Sequence, residues 1–164
     1  MDTYLAIVSK RDTRRYGNKP IPADVVERIL NAGRVTGSAS NRQPWQFLVV
    51  EDSERREKLA DAVYEPTNIR GAQLIVAIVG ARPLDIGRCV QNMMLAAWND
   101  GVASTPNGIA DKDAAQEALG LEEPPINVLS FGYPAKQPPA ETRSADEWSA
   151  RANRKPLDEL VERI

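Results

Sequence analysis

The sequence predicts a single domain, residues 1–164, in which helices alternate with strands around a buried sheet. Residues 73–81 contain the continuous apolar run LIVAIVGA, which is typical of a central strand buried on both faces. Residues 84–100 place apolar side chains at helical spacing and form the longest helical pattern. A chain of 164 residues with 42% hydrophobic content is long enough for one core.

The first half of the chain is predicted to contain three helices and one strand before the central strand. Asp2 or Thr3 caps a short helix that runs through Lys10. A second helix over residues 23–35 begins at Pro22. Residues 46–51 read as a strand, and Ser53 is predicted to cap a charged helix over residues 54–64. The inward positions of the two longer helices are Val25, Val26, Ile29, Leu30 and Gly33, then Leu59, Ala60 and Val63.

The second half is predicted to add two helices and two strands. Gly101 ends the helix over residues 84–100, and Gly120 ends another over residues 112–119. Short strands are expected at residues 102–105 and 127–131, whereas residues 134–154 show no clear period. The long helix carries a stripe that is more typical of a core or a dimer contact than of a cofactor site: Val90, Met93, Met94, Ala97 and Trp98.

Composition excludes several classes of function. The chain contains no His, so Ser-His-Asp, Cys-His and the common zinc chemistries are absent. Neither a dinucleotide fingerprint nor a P-loop is present. A net charge of -2 argues against nucleic acid. No apolar run reaches the ~20 residues of a membrane span. Residues 1–10 do not read as a secretory signal, and the lone Cys89 reads as a buried thiol, so a cytoplasmic location is expected.

Two polar segments are the candidate binding elements. Residues 37–46, GSASNRQPWQ, offer hydroxyl and amide groups immediately before a strand, where Asn41 and Gln43 can contact the polar edge of a flat ligand. An ordinary helix-to-strand turn is the alternative. Residues 10–16, KRDTRRY, concentrate four cations that suit a compact phosphate group. A solvated basic turn is the alternative for this second segment.

Together these segments resemble the nitroreductase family of FMN-dependent oxidoreductases. Residues 10–16 match the family's Arg-Arg-Ser-x-Arg-x-Phe-like opening, and residues 37–45 match its Pro-Ser-x-x-Asn-x-Gln-Pro-Trp-like loop. Weaker matches to the family follow at residues 91–97, 132–134 and 154–160, in the order in which the family has them. Asp12 stands where the family usually has Ser, and Gly37 where it has Pro. A carboxylate at this position would repel a phosphate unless Asp12 pairs with Arg11 or Arg15.

The resemblance implies an α+β fold with a central mixed or antiparallel sheet flanked by helices. It also implies a homodimer with FMN at the interface and a C-terminal segment that wraps the partner subunit. NADH or NADPH would be the co-substrate. Arg14 then matches the flavin N1 region or the ribityl chain, and Asn107 and Gly108 belong to the turn whose backbone N–H faces N5. The cofactor-binding residues that the resemblance suggests are Lys10, Arg11, Asp12, Arg14, Ser38, Ala39, Ser40, Asn41, Gln43, Asn107, Gly108 and Arg154.

Three functions remain open from the sequence. The first is an FMN oxidoreductase that passes electrons from NAD(P)H to a nitroaromatic, quinone or similar acceptor. The second is a specialised relative that performs dehalogenation, ring dehydrogenation or flavin breakdown. The third is a flavin-binding or redox-sensing module without turnover. In the first two, flavin N5 carries the chemistry, so no catalytic side chain and no metal is expected. Asn68 and Arg70 were further, poorly matched candidates for cofactor contacts from the loop before the central strand.

Overall fold

A computed structural model describes residues 2–80, 82–136 and 142–164. Within them the helices are α1 (Thr3–Ser9), α2 (Ala23–Arg34), α3 (Ser53–Asp61), α4 (Pro66–Arg70), α5 (Pro83–Asn99), α6 (Lys112–Leu119) and α7 (Ala145–Arg151). The strands are β1 (Gln46–Val49), β2 (Leu74–Val79), β3 (Ala103–Asn107) and β4 (Asn127–Gly132). Two short 3₁₀ turns lie at Ala39–Asn41 and Leu157–Glu159. Ala81, the predicted last residue of the central strand, and residues 137–141 of the tail lie outside the described residues.

The four described strands form one sheet in the order β1-β2-β4-β3, and every neighbouring pair is antiparallel. The predicted α+β class is therefore confirmed, and the sheet is antiparallel rather than mixed. β1 and β3 are the two edge strands, so residues that precede β1 and residues beside β3 lie on opposite sides of the sheet.

Helices cover both faces of the sheet, which explains why β2 is apolar at successive positions. Leu74, Val76 and Ile78 belong to a core that includes α2 and α5. The alternate residues Ile75 and Ala77 belong to a second core that includes α3, α4 and α6. Because successive side chains of a strand point to opposite faces, a strand between two helical layers needs apolar residues throughout.

The predicted stripe on α5 is part of the protein's own core. Val90, Met93, Met94 and Ala97 are buried against the first face of the sheet. Cys89 lies among them, and burial raises the pKa of its thiol to about 11. The predicted buried thiol is confirmed, and such a thiol is a poor nucleophile at neutral pH because the thiolate is almost absent.

Helix ends follow the sequence closely except at α3, which ends at Asp61, three residues before the predicted end at residue 64. Asp2 caps α1 by accepting a hydrogen bond from the Leu5 N–H at 3.0 Å, and Gly120 ends α6 in the left-handed conformation. The predicted cap of α3 is wrong by one residue. Asp52, not Ser53, accepts from the Arg55 N–H, at 2.8 Å. A carboxylate also interacts favourably with the positive end of the helix dipole.

Two helices were missed by the sequence pattern. α4 occupies the segment that was read as a loop before β2 and starts with Pro66 at its first position. α7 lies within the region predicted to lack regular structure. Its N-terminus is a capping box in which Ser144 and Glu147 satisfy each other's backbone N–H groups, at 3.3 and 2.7 Å. The Ser-x-x-Glu spacing was the signal for this helix.

Candidate functional site

The segment Lys10–Tyr16, here called the cation segment, lies beside the outer edge of β3. Asp12 forms a parallel bridge with Ser104, and the Thr13 N–H donates to the Ser104 carbonyl at 3.2 Å. The segment then crosses to the end of β4, where the Ala135 N–H donates to the Arg15 carbonyl at 3.0 Å. These backbone bonds fix the segment on the β3 side of the sheet.

The last residue of the cation segment is anchored in the core. The Tyr16 hydroxyl lies 3.1 Å from both the carbonyl and the Oγ of Ser130, on the middle of β4. Burial raises the pKa of Tyr16 to about 12, since the phenolate would lose its hydration. Tyr16 is therefore a neutral anchor at physiological pH.

Two of the predicted cofactor-binding residues, Lys10 and Asp12, pair with each other. Lys10 is only 7% exposed in its side chain and forms an ion pair with Asp12, while its Nζ lies 3.4 Å from Met94 Sδ. Asp12 thus pairs with Lys10 rather than with Arg11 or Arg15, which corrects the expected partner. The pair offsets both charges, so the carboxylate at the family's Ser position does not oppose an anion as a bare charge.

Arg11 and Arg14 differ in their freedom. Arg11 Nη1 donates to the carbonyls of Val8 and Lys10 at 2.7 and 2.9 Å, and its guanidinium lies 4.6 Å from the centroid of the Trp148 ring. Arg14 is exposed, and its guanidinium makes no ion pair or hydrogen bond with any residue that the structure describes. An unpaired cation beside an edge strand is available to an anionic ligand.

Between Ser104 and Gly108, no described residue forms a backbone hydrogen bond with the outer edge of β3, and Arg14 follows the two residues that cover this edge at Ser104. Residues 12 and 13 cover the edge at Ser104, and the Tyr64 N–H donates to the Gly108 carbonyl at 3.1 Å. Between these two contacts stands Pro106, which has no N–H to donate. The four-residue step from Ser104 to Gly108 spans about 14 Å of strand. This stretch, here called the edge gap, is long enough for a flat ring system.

Gly108 offers the gap its backbone, whereas Asn107 pairs with Val128 of β4. The carbonyl of Gly108 faces outward, so its N–H lies on the same open side. A Cβ at Gly108 would stand 2.9 Å from the Tyr64 ring, which explains the glycine. The Asn107 side chain points into the core, where Nδ2 donates to the Thr105 and Val128 carbonyls and to Ser130 Oγ, at 3.3, 3.1 and 3.1 Å.

The loop of residues 37–45, here called the polar loop, lies at the opposite edge and leads into β1. Its backbone is strained. Ser40, Asn41 and Gln43 all have positive φ, at 52°, 51° and 48°. Ser38 Oγ accepts from the Gln43 N–H at 2.8 Å and ties the loop's two ends together. Strain of this kind, at about 1–3 kcal/mol per residue, is typical of ligand-binding segments.

The polar loop also borders a pocket of about 290 Å³. Two arginines that the sequence reading did not select, Arg42 and Arg82, line it beside the predicted Ser38 and Ala39. Asp85, on the first turn of α5, lies at the pocket wall and 4.0 Å from Arg88. Nothing in the linear sequence joined residue 42 to residue 82, since only the β1-β2 pairing brings them together.

The structure does not bring the cation segment and the polar loop together within one chain. β1 and β3 are separated by three strand spacings, or about 14 Å. The cation segment lies beside β3, whereas the polar loop lies where β1 begins and β2 ends, next to Gly80 and Arg82. Within one chain the two segments therefore border different parts of the sheet.

The tail and the α4 region complete the set of predicted residues. α7 packs against α1, so this part of the C-terminal segment, for which the resemblance implies contact with a partner subunit, also contacts its own chain. Arg154 is exposed, with Nη1 2.8 Å from the Ala152 carbonyl. Beyond it the apolar side chains of Leu157, Leu160 and Val161 stay exposed.

Arg70 and Asn68, named as further candidates for cofactor contacts, are placed on α4 rather than in a loop. The Arg70 guanidinium pairs with Glu57 and Asp61, at 2.7 and 2.6 Å, so it serves the surface of α3. Asn68 is buried. No described helix is both long and apolar enough to traverse a bilayer.

Comparison with known proteins agrees with this architecture. A protein from Archaeoglobus fulgidus, provisionally named an NADH dehydrogenase/NAD(P)H nitroreductase, is 29% identical over 78% of this chain and 83% of its own. An iodotyrosine deiodinase from Nematostella vectensis is 23% identical over 96% of this chain and 73% of its own.

Solved structures give the same result. A nitroreductase family protein from Clostridium difficile superimposes with a TM-score of 0.81 at 26% identity, covering 99% of this chain and 98% of its own. A provisionally assigned nitroreductase from Desulfovibrio desulfuricans, solved in complex with FMN, has the same TM-score and identity and covers 100% and 98%. The model of the nitroreductase family matches residues 7–83 and 79–133. The chain therefore belongs to the nitroreductase family.

Proposed function

We propose that this protein is an FMN-dependent oxidoreductase that takes hydride from NADH or NADPH and reduces a nitroaromatic, quinone or similar small organic acceptor. The observation that carries the proposal is the edge gap of β3, which has the unpaired Arg14 beside it and the Gly108 N–H on its open side. The Desulfovibrio relative with FMN bound and the names of the curated relatives support the same cofactor and co-substrate.

The residues present fit FMN better than FAD. The cation segment concentrates charge at one place, as a terminal phosphate requires, and the sequence has no glycine-rich fingerprint for a pyrophosphate. Arg11 and Arg154 would hold the phosphate, while Lys10 and Asp12 neutralise each other beside it. Gly108 would hold the polar edge of the ring.

The distance between the two sheet edges supports a homodimer with a shared site. Ser38, Ala39, Ser40, Asn41 and Gln43 would reach the flavin from the partner subunit. A two-fold dimer gives two equivalent sites, each built from the cation segment of one copy and the polar loop of the other. The exposed apolar side chains after Arg154 are suited to the partner's surface, as a wrapping tail needs. A single domain and a cytoplasmic location remain predictions.

Bound FMN supplies the centre that accepts and returns hydride. The side chains of this protein bind it, orient it and adjust its electrostatics. Arg14 would stabilise the negative charge that reduction places on the ring, because opposite charges attract strongly in a partly dehydrated site. No described side chain is required as an acid or base, and the buried Cys89 thiol is too far into the core to contact a ligand at the edge gap.

Dehalogenation is the second candidate function. The deiodinase relative matches along 96% of this chain, which favours testing a halogenated phenol beside the nitroaromatic and quinone acceptors. Ring dehydrogenation, flavin breakdown and a flavin-binding module without turnover remain alternatives that the acceptor panel also addresses.

The test starts with the purified protein and its absorption spectrum. Heat-released chromophore is identified by mass, and oxidation of NADH and of NADPH is followed with each class of acceptor under anaerobic conditions. We expect the released chromophore to be FMN, and the rate of NADH or NADPH oxidation to depend on the acceptor. FAD, or no flavin after reconstitution, would contradict the cofactor; bound FMN that neither nucleotide reduces would favour the binding module.

A further inference from the structure

The indole of Trp148 on α7 is the meeting point of two arginines from different parts of the chain. The Arg11 guanidinium lies 4.6 Å from the ring centroid and the Arg143 guanidinium 5.0 Å. Arg11 belongs to the cation segment, whereas Arg143 immediately precedes the capping residue of α7. Guanidinium groups over an indole are attracted to the negative face of the ring, and Trp is the strongest partner for this contact.

The ring is held by these contacts rather than by its own polar group. Trp148 Nε1 is buried and has no hydrogen-bond partner among the described residues. An indole that leaves its donor unpaired must gain its stability from packing and from the cations over its face. The capping box of α7 fixes the helix that presents the ring, and α7 packs against α1.

These contacts leave Arg11 oriented but not saturated. Nη1 uses its two hydrogens on the carbonyls of Val8 and Lys10 at the end of α1. The ring contact consumes no hydrogen, and none of the described residues accepts from Nε or Nη2, so these N–H groups are available to an anion. Holding a long side chain in its binding conformation before the ligand arrives removes part of the entropy cost of binding.

We propose that Trp148 is a positioning residue for the FMN phosphate, so that docking of α7 on α1 and loading of the cofactor are coupled. This inference rests on the proposed FMN cofactor. By the reciprocity of linked equilibria, FMN must then hold α7 in place as much as α7 holds Arg11. The docking of α7 on α1 therefore depends on whether the phosphate site is filled.

The experiment compares Trp148→Leu and Trp148→Phe with the wild type, using FMN and riboflavin as probes. Riboflavin lacks the phosphate but keeps the ring and ribityl chain. Trp148→Leu is expected to weaken FMN binding about tenfold and leave riboflavin binding unchanged, with Trp148→Phe between the two. Trp98→Phe is the matched control, because Trp98 lies on α5 and its Nε1 donates to Ser9 Oγ at 3.0 Å.

Limited trypsin digestion gives the reciprocal readout. FMN is expected to slow cleavage after Arg151 and Arg154 in the wild type, and to slow it much less in Trp148→Leu, while riboflavin has little effect in either. If Trp148→Leu does not fold by circular dichroism, Trp148→Phe carries the comparison.

Unchanged FMN affinity in the folded variant contradicts the inference, as does tighter binding, which would mean that the ring restrains Arg11 from the phosphate. An equal loss for riboflavin and FMN also contradicts it, because Trp148 would then serve the fold alone. A wild type that binds no flavin at all overturns the proposed function and this inference with it.

Discussion

The cation segment and the polar loop differ in backbone conformation and in the groups that they offer to a ligand. The cation segment is bound to β3 and β4 through backbone bonds, and it keeps a net positive charge beyond the Lys10–Asp12 pair. The polar loop has three residues in the left-handed region and leaves Asn41 and Gln43 exposed. One element is rigid and electrostatic, whereas the other stores strain and offers hydrogen bonds. A site shared between two copies would receive positive charge from the cation segment of one copy and hydrogen-bonding groups from the polar loop of the other.

The largest expected effect tests whether the cation segment and the polar loop of one site come from different copies of the chain. One variant carries Arg11→Ala with Arg14→Ala, and the other carries Asn41→Ala with Gln43→Ala. Each alone is expected to bind FMN poorly. Random mixing of the two after unfolding and refolding makes half the dimers mixed, and each mixed dimer has one intact site, so about a quarter of all sites should regain wild-type affinity. No recovery would mean that both elements serve the same site from one copy.

The second prediction separates Arg11 from its neighbour. Arg11→Ala should lose a charge-assisted phosphate contact of about 1.5–3 kcal/mol, so FMN affinity should fall roughly ten- to a hundredfold. Arg15→Ala is the matched control, since it removes the same charge from an exposed position in the same segment. Isothermal titration measures both. Normal FMN binding by Arg11→Ala, together with a requirement for Cys89 in turnover, would contradict the cofactor-centred proposal.

The third prediction concerns Arg14. Arg14→Ala should bind FMN but lower the flavin reduction potential by about 30 mV, which corresponds to about 1.4 kcal/mol for two electrons. Stopped-flow reduction of the FMN-saturated variant by NADH and NADPH should be slower by up to about tenfold, the factor that corresponds to this free energy. Arg14→Lys keeps the charge and should recover most of the potential. If both variants match the wild type in potential, Arg14 does not face the ring.

The smallest expected effect tests the anchor of the cation segment. The pKa of Tyr16 rises from 10.0 in the unfolded chain to about 12 in the native state because of burial. Below pH 10 both states hold the proton; between pH 10 and 12 only the unfolded state releases it, so stability is lost as pH rises. The free energy of unfolding of wild type minus that of Tyr16→Phe should fall by about 2 kcal/mol across this window. A difference that stays constant with pH would show that Tyr16 is not desolvated.

Much of the fold was readable from local patterns. The bounds of α6 were predicted to the residue, because Gly120 marks its end and the apolar period is clear. β2 was found from one uninterrupted apolar run. α7 was missed because its face is small and polar, and the capping box that defines it occupies only four residues. The cap of α3 falls on Asp52 rather than on the predicted Ser53, and because Asp and Ser serve that role about equally well, residue type does not distinguish the two positions.

At the candidate site, the sequence predicts which residue types are present, whereas the tertiary structure decides which of their side chains can contact a ligand. The charge pattern of residues 10–16 was visible, but not that Lys10 would be buried against Met94 while Arg14 stayed free. Side-chain pairing depends on which element covers each residue, and that is set by contacts between residues 84 positions apart. Arg42 with Arg82, and Arg11 with Trp148, are brought together in the same way.

The sequence alone determined the family, the four strands, every helix except α4 and α7, and the absence of imidazole chemistry, because these depend on composition and on local periodicity. Tertiary structure decided that the polar loop and the cation segment stand at opposite edges of the sheet. That placement follows from the strand order β1-β2-β4-β3, which arises from long-range pairing that no local pattern encodes.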